Sequence, residues 1–375
     1  MKKIVITGGH STPAIALVEE IRKNTNWQIF YLGSKYSSLA GKKIKSYEFE
    51  TLKNFEKVKF IHLITGKIIR KISLNSLVNF LKIGLSFGHS LLILAKIKPQ
   101  LIVSFGGYIS TPVIIAGWLL GIPSITHEQT ITVGLATKIN SFFVKKIALS
   151  FPNTEGSLPK EKIIITGNLI RKEIEAPSQS KRLLAVEKTN KPIIYITGGK
   201  TGAVAINNLI KQIAFLLLKK YFLVHQTGPL QYQEIINFRE RLPRLIVNSY
   251  LIFDFLSANE VGWLLKKANL VISRAGANTI SELLFWQKPT ILIPLPQTYK
   301  NEQEKNALFL KSVGLGVILN QNKISPSVLY QSIKKIIATS YRYKIKNRQQ
   351  ITNLLQGRKN LFQLVQEQLE TQNNV

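Results

Sequence analysis

The stretch IVITGGHST at residues 4–12 decides the fold, because a related stretch, IYITGGKTG, occupies residues 194–202. Each begins as a short strand, continues into Thr-Gly-Gly and then opens a helix. A second pair repeats the pattern, since LIVSFGGYIST begins at Leu101 and LVISRAGANTIS begins at Leu270. An internal repeat of this length indicates two structural copies within one chain.

The strands in these repeats are apolar without polar alternation, and helical patterns separate them. Such strands form parallel sheets that are covered by helices on both faces. We therefore predict an α/β protein with two doubly wound, Rossmann-like domains. Because open α/β sheets bind ligands beyond the carboxyl ends of their strands, we expect the glycine loops of the two domains to face each other across a cleft.

The domain boundaries follow from where the repeats end. We predict an N-terminal domain at residues 1–160 and a C-terminal domain at residues 161–340. The segment PNTEGSLPK at residues 152–160 is typical of a loop or linker. Residues 341–375 are polar with a helical pattern, and we expect this tail to pack back toward the N-terminal domain.

The composition narrows the class of protein. A chain of 375 residues with 45% hydrophobic content can bury two cores, and the absence of cysteine excludes disulfides and thiolate metal sites. The uncharged stretch 101–126 contains Gly106-Gly107, Pro112 and Pro123, which favours strand, loop, helix, turn and strand over a membrane span. With the first strand starting at Ile4, we expect no signal peptide and a soluble or peripheral protein.

The net charge of +31 is extreme. A basic surface attracts nucleic acid, anionic lipid or phosphorylated substrates. The lysines are spread along the whole chain, however, and no recognition motif combines aromatic and basic residues. We therefore do not expect nucleic acid as a partner, and composition bias is an equally good cause of the charge.

The first glycine loop ends in His10 and is followed by Thr12 and Pro13, which suit an N-cap and a first helical position. A histidine at the tip of such a loop can act as a general base near neutral pH, although a lone histidine is more often structural. The second loop, at residues 197–202, contains GKT, but a P-loop needs glycine where this chain has Ile194. A diphosphate remains a suitable ligand for it, with Lys200 adding positive charge.

Two further motifs carry polar side chains. The string His127-Glu128-Gln129-Thr130 follows a strand and suits the rim of a cleft, or else an ordinary polar loop. In the string from Arg274 to Glu282, the Glu282 carboxylate lies about one turn after the start of the predicted helix. It can accept both hydroxyls of a ribose, or it can simply complement the helix dipole.

Asp254 is the only aspartate in the chain, so an Asp-x-Asp metal site is impossible. We therefore expect neither a metal nor a cofactor, and a leaving diphosphate would need helix N-termini and cations instead.

Seven strings, GGHSTP, FGGY, HEQT, GNLIR, GGKTG, RAGANTISE and QEKNA, occur in order over residues 1 to about 320. In these strings the chain resembles the MurG family of glycosyltransferases. It departs from the family pattern in a shortened first glycine loop and at three positions. Thr130 replaces an amide that faces the donor, Lys200 replaces a serine that contacts phosphate, and Leu169 replaces a proline.

The resemblance implies a GT-B fold and an inverting transfer of N-acetylglucosamine from UDP-N-acetylglucosamine to the 4-hydroxyl of undecaprenyl-linked lipid I, giving lipid II. It implies that the catalytic base is His10 or Glu128. It also implies the substrate-binding residues: Thr7, Gly8 and Gly9 at the sugar-diphosphate, Thr130 toward the donor, Arg171 and Lys200 at phosphate, Ala258 near the uracil, Ala277, Asn278, Thr279, Ile280, Ser281 and Glu282 at the nucleoside, and Gln303 at the sugar. The alternatives are a related GT-B transferase with another lipid acceptor, or a basic nucleic-acid-binding protein.

The resemblance also implies a peripheral enzyme at the cytoplasmic face of the inner membrane, bound to an anionic membrane surface. Residues 74–87 predict a helix with two apolar stripes. We expect the stripe Leu74, Leu77, Val78, Leu81 and Leu85 to cover the sheet, and the stripe Phe80, Ile83 and Phe87 to touch lipid, near Lys67, Arg70, Lys71 and Trp118. The alternative is that segment 53–66 buries the second stripe.

Overall fold

The structure is a computed structural model that describes residues 1–39, 42–63, 74–154, 156–345 and 351–371, without the side chains of residues 37–39, 42–43 and 74–83. The described residues form two compact units. Unit 1 contains Met1–Ile170 and the segment from Thr352 onward, and unit 2 contains Arg171–Ile351. Each unit is built on its own parallel sheet.

In unit 1 the described strands form one parallel sheet in the order β5-β2-β1-β6-β7-β8-β9, and β3 and β4 form a separate hairpin. The strands are β1 (Lys3–Thr7), β2 (Gln28–Gly33), β3 (Tyr36–Leu39), β4 (Lys42–Lys45), β5 (Val58–His62), β6 (Leu101–Ser104), β7 (Ser124–Glu128), β8 (Lys146–Leu149) and β9 (Ile163–Ile165). The helices are α1 (Ser11–Asn24), α2 (Tyr47–Leu52), α3 (Leu74–Ile97), α4 (Ser110–Leu119) and α5 (Leu135–Phe143).

In unit 2 the described strands form a parallel sheet in the order β12-β11-β10-β13-β14-β15. The strands are β10 (Ile193–Thr197), β11 (Phe222–Gln226), β12 (Tyr250–Phe253), β13 (Leu270–Ser273), β14 (Thr290–Leu292) and β15 (Gly316–Ile318). The helices are α6 (Lys172–Glu175), α7 (Leu184–Glu187), α8 (Val204–Leu218), α9 (Tyr232–Glu240), α10 (Arg244–Val247), α11 (Ala258–Lys267), α12 (Ala277–Trp286), α13 (Glu302–Ser312) and α14 (Pro326–Ala338). The last helix of the chain, α15 (Gly357–Glu370), belongs to unit 1.

The two faces of the unit 1 sheet are covered by different helices. Ile4 and Ile6 of β1 enter one buried cluster with side chains of α1 and α15. Val5, between them, enters a second cluster with side chains of α3 and α4. Because successive strand residues point to opposite faces, the three consecutive apolar residues of β1, Ile4 to Ile6, are buried on both faces of the sheet. The prediction of two Rossmann-like domains from unalternating apolar strands is therefore confirmed.

The boundaries differ from those predicted. The first change of unit falls between Ile170 and Arg171, not after residue 160, because Ile163–Ile165 pairs in parallel with β8 as the edge strand of the unit 1 sheet. The second falls after Ile351, not after residue 340. The remaining segment joins unit 1, where Trp27 lies against Phe362 and Arg358 pairs with Glu20.

The expected faces of α3 are wrong at the two positions that the structure describes. Leu85, expected on the sheet, is 67% exposed, whereas Phe87, expected on lipid, is half-buried against the core. The other six apolar positions of the two stripes, residues 74–83, lie outside the described side chains. Two apolar stripes look alike to a periodicity argument, so the sequence could not tell which one the sheet would bury.

The stretch 101–126 forms β6, α4 and the start of β7, as predicted. In the part of the chain that the structure describes, no helix combines the length and apolarity that crossing a bilayer requires.

Candidate active site

Two glycine loops of unit 1 touch backbone to backbone. Gly9 N donates to Gly106 O at 2.9 Å. A Cβ on Gly8 would lie 2.8 Å from the backbone nitrogen of Phe105, and a Cβ on Gly107 would lie 2.8 Å from Gly9 Cα. Only glycine fits at such a separation. The contact fixes the loop at residues 7–10 against the loop at residues 105–108, and it places His10 beside Gly106.

His10 is the N-cap residue of α1, two positions before the predicted N-cap, so Thr12 and Pro13 fall inside the first turn. Proline is tolerated there because the first backbone N–H groups of a helix have no partner within it. Desolvation of the imidazole by the surrounding protein lowers the pKa of His10, and the negative charge of the Glu128 carboxylate raises it. Solvent also reaches this exposed residue, which limits the lowering. The imidazole is therefore neutral, and able to accept a proton, at neutral pH.

Glu128 ends β7 and is buried, and its two carboxylate oxygens already accept hydrogen bonds. Thr130 N and Thr130 Oγ1 lie 3.3 and 3.0 Å from Oε1, and Gly134 N donates to Oε2 at 2.9 Å. The carboxylate is thus held by the turn that follows it. Its effect on His10 is that of a fixed negative charge.

His127 is completely buried. Its Nε2 atom lies 3.3 Å from Gly167 O and 3.3 Å from Ser150 Oγ. Burial lowers the pKa of His127 to about 4; the Gly167 carbonyl and the Gln129 side chain oppose this, and the positive charge of His10 reinforces it. The interpretation of HEQT as a cleft rim or ordinary polar loop was wrong for its first three side chains, which are buried at the end of β7.

Unit 2 contains a cavity of about 630 Å³ at the carboxyl ends of β10 and β13. Its lining includes residues 197–205 except Lys200, and Ser273, Arg274, Gly276, Thr279, Leu295, Gln303 and Gln321. Both α8 and α12 begin at this cavity, at N-caps Ala203 and Gly276. Helix N-termini present unpaired N–H groups and partial positive charge, so an anionic group suits the cavity.

Arg274 contributes a full positive charge to the same cavity. Its guanidinium donates to Ile293 O at 2.8 Å and to Gln321 Oε1 at 2.6 Å, and both acceptors are neutral. No carboxylate pairs with it among the described residues. We did not predict Arg274 as a site residue, although it is the first residue of the RAGANTISE string and could have been found there.

Gln303 is held by backbone N–H groups of two segments beside the cavity, at Ala275 and Leu295. Its Oε1 atom accepts from Leu295 N at 2.9 Å and from Ala275 N at 3.4 Å. One turn later, Asn306 Nδ2 donates to Ala275 O at 2.9 Å. Since the oxygen of Gln303 is occupied, its amide nitrogen is the atom that can meet a ligand.

Arg171 and Glu282 form a largely buried ion pair in unit 2, with Arg171 Nη2 3.5 Å from Glu282 Oε1. Burial raises the pKa of Glu282, and the positive charges of Arg171 and Lys200 lower it. None of these three residues lines the cavity described above. The resemblance implied phosphate for Arg171 and Lys200 and the nucleoside for Glu282, whereas the structure pairs Arg171 with Glu282 and places the charge of Lys200 close enough to act on the same carboxylate.

The remaining predicted residues occupy several places. Ala258 is the first residue of α11, which begins with a capping box between Ser257 and Glu260. On α12, Thr279 lines the cavity, and Ala277 and Asn278 directly precede it in the sequence. Ile280 and Ser281, which follow it, are buried in unit 2. Ser281 Oγ donates to Ala277 O at 3.0 Å, so its side chain faces its own helix.

Comparisons with known proteins agree with this architecture. Residues 6–149 match the glycosyltransferase family 28 N-terminal domain, and residues 193–365 match the glycosyltransferase family 28 C-terminal domain. Two relatives are named UDP-N-acetylglucosamine--N-acetylmuramyl-(pentapeptide) pyrophosphoryl-undecaprenol N-acetylglucosamine transferase. The one from Clostridium kluyveri is 32% identical over 92% of this chain and 93% of its own. The one from Borreliella burgdorferi is 36% identical over 90% and 88%.

The crystal structure of Acinetobacter baumannii MurG superposes with a TM-score of 0.69 at 25% identity, covering 99% of this chain and 100% of that one. The chain belongs to the MurG family. Its fold is accordingly GT-B, with two Rossmann-like domains.

Two of the departures from the MurG family pattern, Leu169 and Thr130, have defined surroundings in unit 1. Leu169, where the family carries proline, is buried in the unit 1 core with Leu361 and Val365 of α15. The Thr130 hydroxyl lies 3.0 Å from Glu128 Oε1 and 2.6 Å from Thr132 O. In this member of the MurG family, Thr130 therefore supports the Glu128 carboxylate.

Proposed function

We propose that the protein transfers N-acetylglucosamine from UDP-N-acetylglucosamine to the 4-hydroxyl of undecaprenyl-diphosphate-linked N-acetylmuramoyl pentapeptide, lipid I. The product is lipid II, the lipid-linked unit from which peptidoglycan is made for cell shape and division. The names of the relatives, at 30–36% identity over about nine-tenths of the chain, are the observation that carries this proposal.

The cavity in unit 2 suits the donor diphosphate. The N-termini of α8 and α12 and the Arg274 guanidinium place positive potential there. When the bond from the anomeric carbon to the diphosphate breaks, negative charge grows on the leaving UDP. Fixed dipoles and a fixed cation stabilise that charge without having to rearrange.

The nucleoside end of the donor is assigned to the Arg171–Glu282 pair. We assign the ribose hydroxyls to the Glu282 carboxylate, which can accept from both. Burial raises the pKa of Glu282, and the positive charges of Arg171 and Lys200 favour the charged carboxylate against that effect. Gln303 offers its amide nitrogen to an oxygen of the sugar.

The acceptor is activated in unit 1. The 4-hydroxyl attacks the anomeric carbon from the side opposite UDP, so the configuration inverts, and its proton passes to His10. His10 is neutral beforehand and becomes an imidazolium that the nearby Glu128 carboxylate stabilises. Of the two candidate bases we choose His10, because Glu128 already accepts hydrogen bonds on both oxygens.

An exposed apolar surface on unit 1 suits a membrane. It consists of Leu85 and Leu92 on α3, Trp118, Leu119 and Leu120 at the end of α4, and Phe142 on α5. These helices pack side by side, and the ring of Trp118 meets that of Phe143 edge-on, with 5.3 Å between the ring centroids. Lys96, Lys138 and Lys145 are exposed on the same helices or directly after them. Apolar residues ringed by lysine favour the anionic, cytoplasmic face of the inner membrane, where the lipid acceptor resides.

A direct assay tests the proposed function. The purified protein is incubated with labelled UDP-N-acetylglucosamine and a lipid I analogue, in parallel with a diacylglycerol acceptor. We expect labelled N-acetylglucosamine on the lipid I analogue alone. Transfer only to diacylglycerol would make the protein a transferase of another lipid, and transfer to neither acceptor would contradict the proposal.

A further inference from the structure

The segment that returns to unit 1 at the end of the chain fits against the turn Thr166–Asn168 without room for side chains. Gly167 has a left-handed φ of +86°, and a Cβ there would lie 2.3 Å from Leu354 O. A Cβ on Gly357 would lie 2.3 Å from Asn168 O. The two backbones are thus in contact at two points, and neither can move without the other.

A side-chain hydrogen bond completes this contact. Asn360 Nδ2 donates to Thr166 O at 2.8 Å and to Asn353 O at 2.8 Å. One amide therefore ties the first turn of α15 both to the turn Thr166–Asn168 and to the chain that precedes the helix.

The other side of the same turn faces His127. Gly167 O lies 3.3 Å from His127 Nε2, and a carbonyl oxygen can only accept a hydrogen bond. Ser150 Oγ, also 3.3 Å from Nε2, can accept as well as donate, so the Gly167 carbonyl favours the proton on Nε2 and leaves Nδ1 without one in the neutral ring. The Gly167 carbonyl thus favours one tautomer and one orientation of a completely buried imidazole.

The neutral state of His127 matters because of its neighbours. The charged groups that act on this site are His10 and, through His10, Glu128. A positive charge on the buried ring of His127 would make His10 a poorer base, because it would repel the positive charge that His10 acquires with the proton. Burial keeps the pKa of His127 at about 4, so the ring stays neutral while His10 takes up a proton.

We infer that the segment Leu354–Asn360 is a positioning element for the histidine pair His127 and His10, acting through the Gly167 carbonyl. His127 and Asn360 are then positioning residues, and neither needs to touch a substrate. The inference rests on the proposed role of His10 as the base.

Histidine-selective ¹⁵N NMR tests the first step without an enzyme assay. The chain has five histidines, and His127→Gln assigns the signal that disappears. In the parent at pH 7 we expect His127 as a neutral ring with the proton on Nε2. A ring protonated on Nδ1, or a charged ring, would overturn the inference.

The variant Asn360→Asp tests the link from the returning segment, since it keeps the shape of the side chain but removes the donor. We expect a mixture of tautomers at His127 and a turnover lower by roughly 10- to 100-fold, as displaced catalytic groups cause. The KM for UDP-N-acetylglucosamine should stay within about twofold, because Arg274, Glu282 and Gln303, to which the diphosphate, ribose and sugar are assigned above, lie in unit 2.

Arg358→Ala is the matched control. It removes the pair between Arg358 and Glu20, in which Arg358 Nε lies 3.2 Å from Glu20 Oε2 and which holds the same helix on α1. Normal turnover and a single His127 tautomer in this variant support the inference. If Arg358→Ala and Asn360→Asp lower turnover and melting temperature equally with His127 unchanged, the segment is only a scaffold and the inference fails. A parent that transfers no sugar would refute the proposed function instead, leaving the NMR result to stand by itself.

Discussion

Arg171 Nη2 lies 3.5 Å from Glu282 Oε1, although the two residues are 111 positions apart in the sequence. Both belong to strings shared with the MurG family, GNLIR and RAGANTISE. The contact joins the first residue of unit 2 to the helix that opens at the cavity. It shows that these two strings form one structural feature.

Glu282→Ala should weaken donor binding. Loss of a charged acceptor costs about 1.5–3 kcal/mol, which corresponds to a KM for UDP-N-acetylglucosamine raised roughly 10- to 150-fold. If Arg171 acts through Glu282, the double variant with Arg171→Gln should be no worse than the poorer single variant. An unchanged KM in Glu282→Ala would remove this carboxylate from the donor site.

His10→Ala should lower turnover by roughly 10²-fold or more, as loss of a general base does. The active form of His10 is neutral, so turnover falls as the pH drops through its pKa, which lies below 6.5. Glu128→Gln removes the charge that raises this pKa, so the acidic limb of the pH profile should move to still lower pH. If His10→Ala retains turnover and Glu128→Gln abolishes it, the base is Glu128.

Lys200 should tolerate a neutral polar replacement better than an acidic one. It acts on Glu282 as a nearby positive charge, and it adjoins the glycine loop that lines the cavity. Lys200→Glu would place a negative charge beside the diphosphate, so its KM for the donor should exceed that of Lys200→Ser. Equal KM values would mean that the side chain points away from the donor.

The exposed apolar surface of unit 1 should bind lipid. Changing Leu92, Trp118 and Phe142 to serine should reduce binding to vesicles of anionic lipid, and also transfer to a full-length acceptor, while a short-chain acceptor remains usable. Leu230→Ser with Leu245→Ser is the matched control, because these residues of unit 2 are at least as exposed. If the triple variant binds these vesicles as well as the parent does, the surface does not contact lipid.

Transfer should persist in EDTA, whereas Arg274→Ala should raise the KM for the donor. The reason is that the chain has a single aspartate, and that helix N-termini and Arg274 supply positive charge at the cavity. Measuring turnover in EDTA, with and without added Mg²⁺, checks this. Complete loss on chelation with recovery on Mg²⁺ would contradict it.

The glycine loops show what the sequence could predict. Thr-Gly-Gly after an apolar strand determined where β1 and β10 end, because backbone approach of the kind seen at Gly9 and Gly107 needs glycine. The repeat of that signal gave the number and type of the domains. Such signals are local, so one chain is enough to recognise them.

Other features depend on partners distant in sequence. The boundary at Ile170 depends on pairing of Ile163–Ile165 with β8, and those isoleucines look the same in a linker or an edge strand. Burial of Glu128 was unexpected because its hydrogen-bond donors, Thr130 and Gly134, become visible only when the turn is folded. The faces of α3 could not be chosen because both were apolar.

The return of α15 to unit 1 has a consequence for biosynthesis. One face of the unit 1 sheet is completed by Leu361, Phe362, Leu364 and Val365, which leave the ribosome after the whole of unit 2. Unit 2 is a single continuous stretch and can fold as soon as it emerges. Until then the part of that apolar face that α1 does not cover stays open, so a message cut short before these codons yields a polypeptide prone to aggregation and an early target for chaperones and proteases.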